Sequence, residues 1–278
     1  MRLMLLTTLT MIAFAANSVL NRSALEGGGI DPLSFVFIRV AAGVAVLLIL
    51  VFARREAALI KGAFDPSATV GLLAYMLGFS FAYKSLDTGL GALILFGGVQ
   101  ITMFLGAVLA GRKPLALQWV GAGVAFSGLA VLLAPSGAAP SVGGMALMGI
   151  AAIGWGIYSL QGAKAKHPLI ATCANFAAAL PVIIVAWVVM ETGPMSVTGA
   201  ALAVVSGGVT SALGYALWYQ VLPQLQTATA AVAQLSVPLI AALGGFVVLG
   251  ETVTVAFAVS SALVLGGIGI SVWAANRG

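Results

Sequence analysis

The chain has 278 residues, of which 62% are hydrophobic and only 7% are charged. Soluble domains carry about 25% charged residues, so 12 Lys and Arg with 7 Asp and Glu are too few to cover a soluble globule of this size. The net charge of +5 comes from bases spread singly or in pairs between apolar runs, which indicates membrane topology and argues against a nucleic-acid-binding surface.

Apolar runs long enough to cross a bilayer follow one another along the whole chain. A helical span needs about 20 residues, and backbone groups in lipid must be hydrogen-bonded internally, which favours helices. The first run follows a single basic residue, as in a secretory signal, but we interpret it as a membrane helix. The sequence therefore predicts an all-α membrane protein with ten transmembrane helices, at residues 2–24, 32–53, 66–86, 89–111, 114–134, 143–164, 168–190, 197–222, 225–249 and 252–275.

Short polar segments separate these runs and carry nearly all of the charges. If the N-terminus lies in the cytoplasm, only two bases in the connecting segments, Arg22 and Lys84, lie outside. The distribution of Lys and Arg sets the orientation of membrane proteins, so both termini are predicted to be cytoplasmic. The bases on the cytoplasmic side are then Arg2, Arg54, Arg55, Lys61, Arg112, Lys113, Lys164, Lys166 and Arg277.

The chain contains a distant internal repeat. Residues 77–92 align with residues 213–228, and further along Gly111 aligns with Gly250. Each half then contains five spans, and because five is odd the second half is inverted relative to the first. Inverted repeats around a site at mid-depth are common in secondary transporters. The predicted repeats are residues 1–137 and 138–278.

This pattern of two times five helices resembles the drug/metabolite transporter superfamily, and in particular its EamA-type members. The resemblance covers essentially the whole chain and is carried by Gly250 and Glu251 before the last helix, by Trp155 and Gly156, and by Pro238. Length and aromatic pattern are most similar to the YddG-type amino-acid exporters. The resemblance implies an inner-membrane exporter of small amphipathic metabolites, with amino acids, including aromatic ones, as the first candidates, that works by alternating access.

Two glutamines stand near the middle of the fourth and ninth spans. A lipid-facing amide lacks hydrogen-bond partners and costs several kcal/mol, so Gln100 and Gln234 should face the protein interior. They either hold helices together or line a substrate pathway, and their equivalent places in the two repeats favour the pathway; Leu at either position should then reduce flux. Pro238 frees the carbonyl of Gln234, which could accept a substrate ammonium or a hydrogen bond from Ser236 or water; a simple kink is the alternative.

Other polar side chains lie inside predicted spans. Asn17 and Asn21 are one turn apart in the first span and serve either packing or the pathway. Arg39 is the only full charge well inside a span, at a cost of about 2.5–3.5 kcal/mol. The favoured interpretation is that Arg39 extends to the surface or pairs with Asp31; the alternative is a cationic partner for a substrate carboxylate.

Aromatic side chains recur at helical spacing in three spans. Tyr75 and Phe79 lie on the third span, Trp155 and Tyr158 on the sixth, and Tyr215 on the eighth. Such residues often form an interfacial belt, but Tyr75, Trp155, Tyr158 and Tyr215 lie deeper and better fit the walls of a cavity for an apolar or aromatic solute. Phe79, on the same stripe as Tyr75, is also a candidate for the site. Since the third and eighth spans are repeat partners, their aromatic walls are expected to face each other.

No acidic residue lies in the middle third of any predicted span. The small multidrug exporters of the same superfamily use a buried carboxylate for proton exchange, and His167, the one histidine, lies at a helix start and is expected at the surface. We therefore predict a uniporter. A proton-coupled antiporter that uses Glu191 or Lys84 is the weaker alternative.

The sequence has no recognisable catalytic motif. With one histidine and one cysteine, Cys173, it predicts no metal site and no cofactor. The predicted partners are a small-molecule substrate and the lipid bilayer, without nucleic acid; monomer and homodimer both stay open. Two other classes remain, an intramembrane enzyme for a lipid-linked substrate, with acids or histidines converging at one membrane face, and a structural protein in which Gln100 bonds Gln234.

Overall fold

A computed structural model describes residues 2–109, 111, 113–131, 141–162, 164–193, 195–221, 224–225 and 227–275. These residues are helical apart from short connections, and they contain no strand. The helices are α1 (Arg2–Leu25), α2 (Pro32–Ala53), α3 (Pro66–Ala82), α4 (Thr88–Leu109), α5 (Ala116–Val131), α6 (Val142–Gly162), α7 (Pro168–Val189), α8 (Val197–Val205), α9 (Gly214–Val221), α10 (Thr227–Leu249) and α11 (Val255–Ala275). A π-helix (Ser206–Leu213) joins α8 to α9, and 3₁₀ turns lie at Glu26–Gly28 and Ala57–Gly62.

Most of these helices have the length and composition of membrane spans. Within the described residues, seven helical stretches are long and apolar enough to cross a membrane, one of them the continuous stretch Val197–Trp218, and three shorter apolar helices accompany them. Many large apolar side chains are exposed on the outer surface, as lipid contact requires. The chain is a multi-pass membrane protein, so the predicted all-α membrane class is confirmed; the count of ten crossings and the orientation of the termini stay predictions.

Proline and aspartate together define where two helices begin. Asp31 precedes Pro32, and its carboxylate accepts hydrogen bonds from the N–H groups of Leu33 and Ser34, both at 3.0 Å. Asp65 precedes Pro66 in the same way and accepts from the N–H of Ala68 at 2.9 Å. Capping satisfies N–H groups that have no partner inside the helix, and proline in the first turn needs none.

The helix pairs that pack together correspond to one another when the two predicted repeats are interchanged. α3 packs on α6 and α1 packs on α8 and α9, while α6 packs on α4 and α1 packs on α10. α2 contacts α7, α4 contacts α10 and α5 contacts α11. If α1 to α5 are matched in order with α6, α7, α8–α9, α10 and α11, each of these pairs maps onto another pair or onto itself. The predicted boundary at residues 137 and 138 lies outside the described residues.

Gly111 and Gly250, which align in the predicted repeat, have the same unusual backbone conformation. Their φ angles are +87° and +68°, and they follow the ends of α4 and α10. A left-handed residue after the last turn satisfies free helix carbonyls, and glycine adopts it without strain. A left-handed glycine therefore follows the end of each of the two corresponding helices.

Candidate functional site

A buried polar cluster lies in the interior of the helix bundle and is centred on Arg39 of α2. The Arg39 side chain is 0% exposed. Its Nε donates to the Ser211 hydroxyl and its Nη2 to the Tyr75 hydroxyl, both at 3.1 Å. Its guanidinium carbon lies 5.4 Å from the ring centre of Tyr75 and 5.2 Å from that of Phe79, within the range of cation–π attraction.

The favoured expectation for Arg39 from the sequence, that it extends to the surface or pairs with Asp31, is wrong. Asp31 caps its own helix, and Arg39 is fully buried. The physical reason is that Ser211 and Tyr75 supply hydroxyl acceptors at the depth of Arg39 itself. The guanidinium therefore does not have to reach water.

Asn17 of α1 joins three parts of the molecule at this cluster. Its Nδ2 donates to the Tyr75 hydroxyl at 3.3 Å. Its Oδ1 accepts from the hydroxyls of Ser206 at 2.6 Å and Thr210 at 3.1 Å. We call Arg39, Asn17, Tyr75, Ser206, Thr210, Ser211 and Tyr215 the Arg39 cluster.

The π-helix supplies three hydroxyls to the Arg39 cluster. Ser206, Thr210 and Ser211 come from this short segment, and all three are buried. The wider π turn brings positions i, i+4 and i+5 towards one side, and π segments are frequent at functional sites. These three residues were not predicted from the sequence. The feature that could have revealed them is the small polar run SGGVTS inside an otherwise apolar span.

Aromatic rings from α3, α6 and α9 meet beside the Arg39 cluster. The ring of Trp155 lies 4.8 Å from those of Tyr75 and Tyr215, and the Tyr215 hydroxyl donates to that of Tyr75 at 3.4 Å. The Tyr158 ring lies 5.4 Å from Trp155, and its hydroxyl donates to Thr172 of α7. The aromatic residues predicted on the third and eighth spans do meet, as the repeat implied.

Phe14 of α1 completes this aromatic group and was missed from the sequence. Its ring lies 5.9 Å from Tyr215 and Trp218, 6.3 Å from Trp155 and 6.5 Å from Phe96. A phenylalanine in an apolar helix has no feature that separates it from ordinary lipid-facing residues. Only the fold shows that Phe14 turns inward.

Neither of the two glutamines takes part in the described hydrogen bonds of the Arg39 cluster. Gln100 lines a separate cavity of about 200 Å³ between α4, α5 and α11, together with Gln118 and Ser271. Neither Gln100 nor Gln234 has a hydrogen-bond partner among the described residues, so they do not bond each other.

Two further residues singled out from the sequence have defined places. Pro238 is buried inside α10. The Ser236 hydroxyl donates to the Ala233 carbonyl at 2.6 Å, so it is not the partner of the Gln234 carbonyl. Asn21 lies between α1 and α3, and its Nδ2 donates to the Ser80 hydroxyl at 3.1 Å.

A second charged group, the Arg22 network, lies at the end of the bundle that is predicted to face away from the cytoplasm. Arg22 of α1 forms ion pairs with Glu251 at 3.3 Å, Glu26 at 3.4 Å and Asp87 at 3.9 Å. The Glu251 carboxylate also accepts from the N–H of Thr88, at 2.8 and 3.0 Å, and from its hydroxyl at 3.1 Å. Glu251 therefore caps α4 and ties it to α1.

Burial raises the pKa of the Glu251 carboxyl above its usual value, and this outweighs the lowering by Thr88 and Arg22. At the opposite end, hydrogen bonds from the Ser67 hydroxyl and the Ala68 N–H lower the pKa of Asp65. The acids of the Arg22 network do converge at one membrane face. However, Glu251, Glu26 and Asp87 all pair there with the same arginine.

The opposite end of the bundle contains an open cavity of about 420 Å³. It lies between the segment before α3 and the start of α7, and Asp65, His167 and Asn175 line it together with lysines. The Asn175 amide oxygen accepts from the Asp65 N–H at 3.1 Å. His167 is exposed at the helix start, which confirms its predicted surface position.

Known proteins of one family match the chain along its length. The model of the EamA-like transporter family matches residues 1–134 and 142–273. A protein of Pseudomonas aeruginosa, itself named as uncharacterised, is 40% identical over 272 residues, which cover 97% of this chain and 94% of that protein. The chain belongs to the EamA-like transporter family. The EamA-type resemblance is thus confirmed, whereas the closer likeness to YddG-type exporters stays a prediction.

One solved structure agrees with the fold of this EamA-like transporter. It is a crystal structure of a protein that aligns with a TM-score of 0.68 over 98% of this chain and 96% of the other, at 20% identity. At this identity the likeness shows the fold alone. Together, the family and the apolar helices establish a multi-pass membrane transporter.

Proposed function

We propose that this EamA-like transporter exports small amphipathic metabolites, with amino acids, including aromatic ones, as first candidates, by alternating access between two five-helix halves. The Arg39 cluster is the observation that carries the proposal. Its hydrogen bonds join α1, α2 and α3 of the first half to the π-helix and α9 of the second half. A site at this junction is where movement of one half against the other exposes a solute to either side.

Three observations support two related halves, residues 1–137 and 138–278. The family model matches twice, once in each half. When the helices of the two halves are matched in order, each packed helix pair corresponds to another packed pair or to itself. Gly111 and Gly250 end equivalent helices with the same backbone conformation.

The composition of the site supports the substrate class. Trp155, Tyr215, Tyr75 and Phe79 supply aromatic surface, and Asn17 belongs to the polar groups beside them. Binding sites for small molecules commonly combine an apolar wall with a few placed polar groups that fix orientation. An amphipathic solute with a ring or a branched side chain matches this arrangement.

The distribution of acids supports uniport. All seven Asp and Glu residues lie in helix-connecting segments of the described structure, and none lies within the Arg39 cluster. A solute site without an acid has no carboxylate that could exchange a proton for the solute. Glu251 favours the second candidate, a proton-coupled antiporter, because it is a largely buried carboxylate with a raised pKa at the end of the bundle.

Transport by the purified protein in liposomes tests the proposed function. We expect exchange of at least one labelled neutral amino acid or related metabolite across the vesicle membrane, and we expect it to persist when a protonophore collapses the proton gradient. If the protein concentrates the solute and this accumulation is lost when the proton gradient collapses, the result would favour the antiporter. If the folded, inserted protein exchanges no member of the panel, the proposed substrate class is wrong.

A further inference from the structure

We propose that Arg39 binds a carboxylate of the transported solute, which narrows the substrate class to acids with an apolar or aromatic body. This inference rests on the proposed function and deepens it. Two independent observations carry it: among the described residues, one nitrogen of the Arg39 side chain has no hydrogen-bond partner, and the charge of the side chain has no counter-ion.

The first observation is the unused donor. Nε and Nη2 of Arg39 each donate to a hydroxyl. Nη1 is fully buried and has no hydrogen-bond partner in the part of the chain that the structure describes. Buried donors in native proteins are almost always paired, and an exception calls for an explanation. A group that arrives with the solute would supply the missing acceptor.

The second observation is the missing counter-ion. All ion pairs of the described residues involve Arg22, and Arg39 forms none. The neighbours of its guanidinium are the hydroxyls of Ser211 and Tyr75 and the rings of Tyr75 and Phe79. Buried charges are normally paired, whereas the described neighbours of Arg39 offer its positive charge only hydroxyl dipoles and ring faces.

A carboxylate fits both features better than other groups. It accepts two parallel hydrogen bonds from a planar guanidinium, with a strength and geometry that neutral acceptors do not reach. It also neutralises the charge at the depth where neutralisation gains most. The rings of Trp155 and Tyr215 border the same cluster, so the body of the solute would lie against them while its acid group reaches Arg39.

A packing role for Arg39 makes a different prediction. If Arg39 only holds α2 against α3 and the π-helix, its replacement should lower the stability of the protein and weaken the binding of all solutes equally. The carboxylate role instead predicts discrimination between solutes by the wild-type protein itself. The decisive comparison therefore needs no mutation.

We would measure competition against the labelled solute identified by the transport panel, with four unlabelled probes of one shape. These are L-phenylalanine and 3-phenylpropionate, which carry a carboxylate, and L-phenylalanine amide and 2-phenylethylamine, which do not. We expect the two carboxylates to compete at least about tenfold more strongly, the loss typical of one hydrogen bond to a charged group.

Arg39→Gln should remove this preference and bring the four probes within about threefold of one another. Arg54→Gln, a substitution of the exposed arginine that follows the same helix, is the matched control and should keep the preference. If Arg39→Gln does not fold, as judged by size-exclusion chromatography, the wild-type series still decides.

The outcomes separate this inference from the proposed function. Equal competition by all four probes in a transporting wild-type protein overturns the carboxylate site and leaves transport standing. If no solute is transported, thermal stabilisation by the two carboxylates in wild type but not in Arg39→Gln would keep the site and overturn the function. Preference that survives Arg39→Gln also overturns the assignment to Arg39.

Discussion

Arg22 and Arg39 of this transporter differ in what surrounds their charge. Arg22 lies at one end of the bundle with 14% of its side chain exposed, and it pairs with three acids. Arg39 lies in the interior with no exposure, and it forms no ion pair with the described acids. Both connect the first half of the chain to the second, Arg22 through Glu251 and Arg39 through Ser211.

On the proposal above, the difference separates an arginine that stabilises the fold from an arginine that binds the solute. Each charge of the Arg22 network has a partner of opposite sign within the protein, so we expect this network to stabilise its end of the bundle. The charge of Arg39 has no counter-ion among the described residues, and buried ionisable groups in membrane proteins mark functional sites by default. On the proposal above, the carboxylate of a solute would offset the cost of burying this charge.

The same substitution at the two arginines should have opposite effects on stability. Arg22→Met should destabilise the protein by about 2 kcal/mol, because it leaves a largely buried Glu251 without its cation. Arg39→Met should leave stability unchanged or raise it, since it removes an uncompensated buried charge. Unfolding of both variants in detergent micelles, monitored by heat or denaturant, gives the comparison.

A double-mutant cycle shows whether the Arg22 effect comes from the proposed pair. Arg22→Met combined with Glu251→Gln should cost less than the sum of the single substitutions, because each removes the same interaction. Strict additivity would mean that Arg22 acts through other contacts. A larger loss at Arg39 than at Arg22 would reverse the distinction between the two arginines.

Asn17→Asp should erase the difference between the two arginines. Asn17 and Arg39 both donate to the Tyr75 hydroxyl, so an aspartate here places an acid one hydroxyl away from the guanidinium. We expect a gain in stability of about 1 kcal/mol and a loss of carboxylate-solute affinity, because the new acid competes for Arg39. The gain should vanish in the double variant with Arg39→Met; a gain that persists there would have another origin.

The stability of the Arg22 network should depend on pH in a defined direction. Burial raises the pKa of Glu251, so the folded protein binds this proton more tightly than the unfolded chain. Stability relative to Glu251→Gln should then rise as the pH falls from neutral through the raised pKa, and should decline as the pH rises. Unfolding midpoints of both proteins across this range give the difference.

The charged neighbours of Glu251 are Arg22, Asp87 and, through Arg22, Glu26. Asp87→Asn should keep most of the pH dependence, because burial is the largest cause of the raised pKa of Glu251. The opposite slope, with stability that increases as the pH rises, would show that the ion pair with Arg22 outweighs burial.

The sequence predicted the fold better than the site. Apolar runs and prolines located the helices because both signals depend only on nearby residues. A span in lipid needs a continuous apolar run, and proline, which has no N–H group, fits the first turn of a helix. Arg39, Tyr75 and Trp155 were also identified, since charge and large rings are conspicuous in an apolar span. The π-helix hydroxyls and Phe14 were not, because their roles depend on which way a helix turns, and only the packing of distant segments decides that.

The glutamines, which the sequence made prominent, should show the smallest effect. Gln100 lines a cavity formed by α4, α5 and α11, and neither it nor Gln234 has a partner among the described residues. We therefore expect Gln100→Leu and Gln234→Leu to fold and to change flux by at most two- to threefold, roughly the value of one interhelical hydrogen bond. Transport assays with Ser127→Ala, a substitution of an exposed hydroxyl on α5, set the baseline. A loss comparable to that of Arg39→Gln would mean that the solute passes along α4 and α10, and Arg39 would then lie beside the pathway instead of in it.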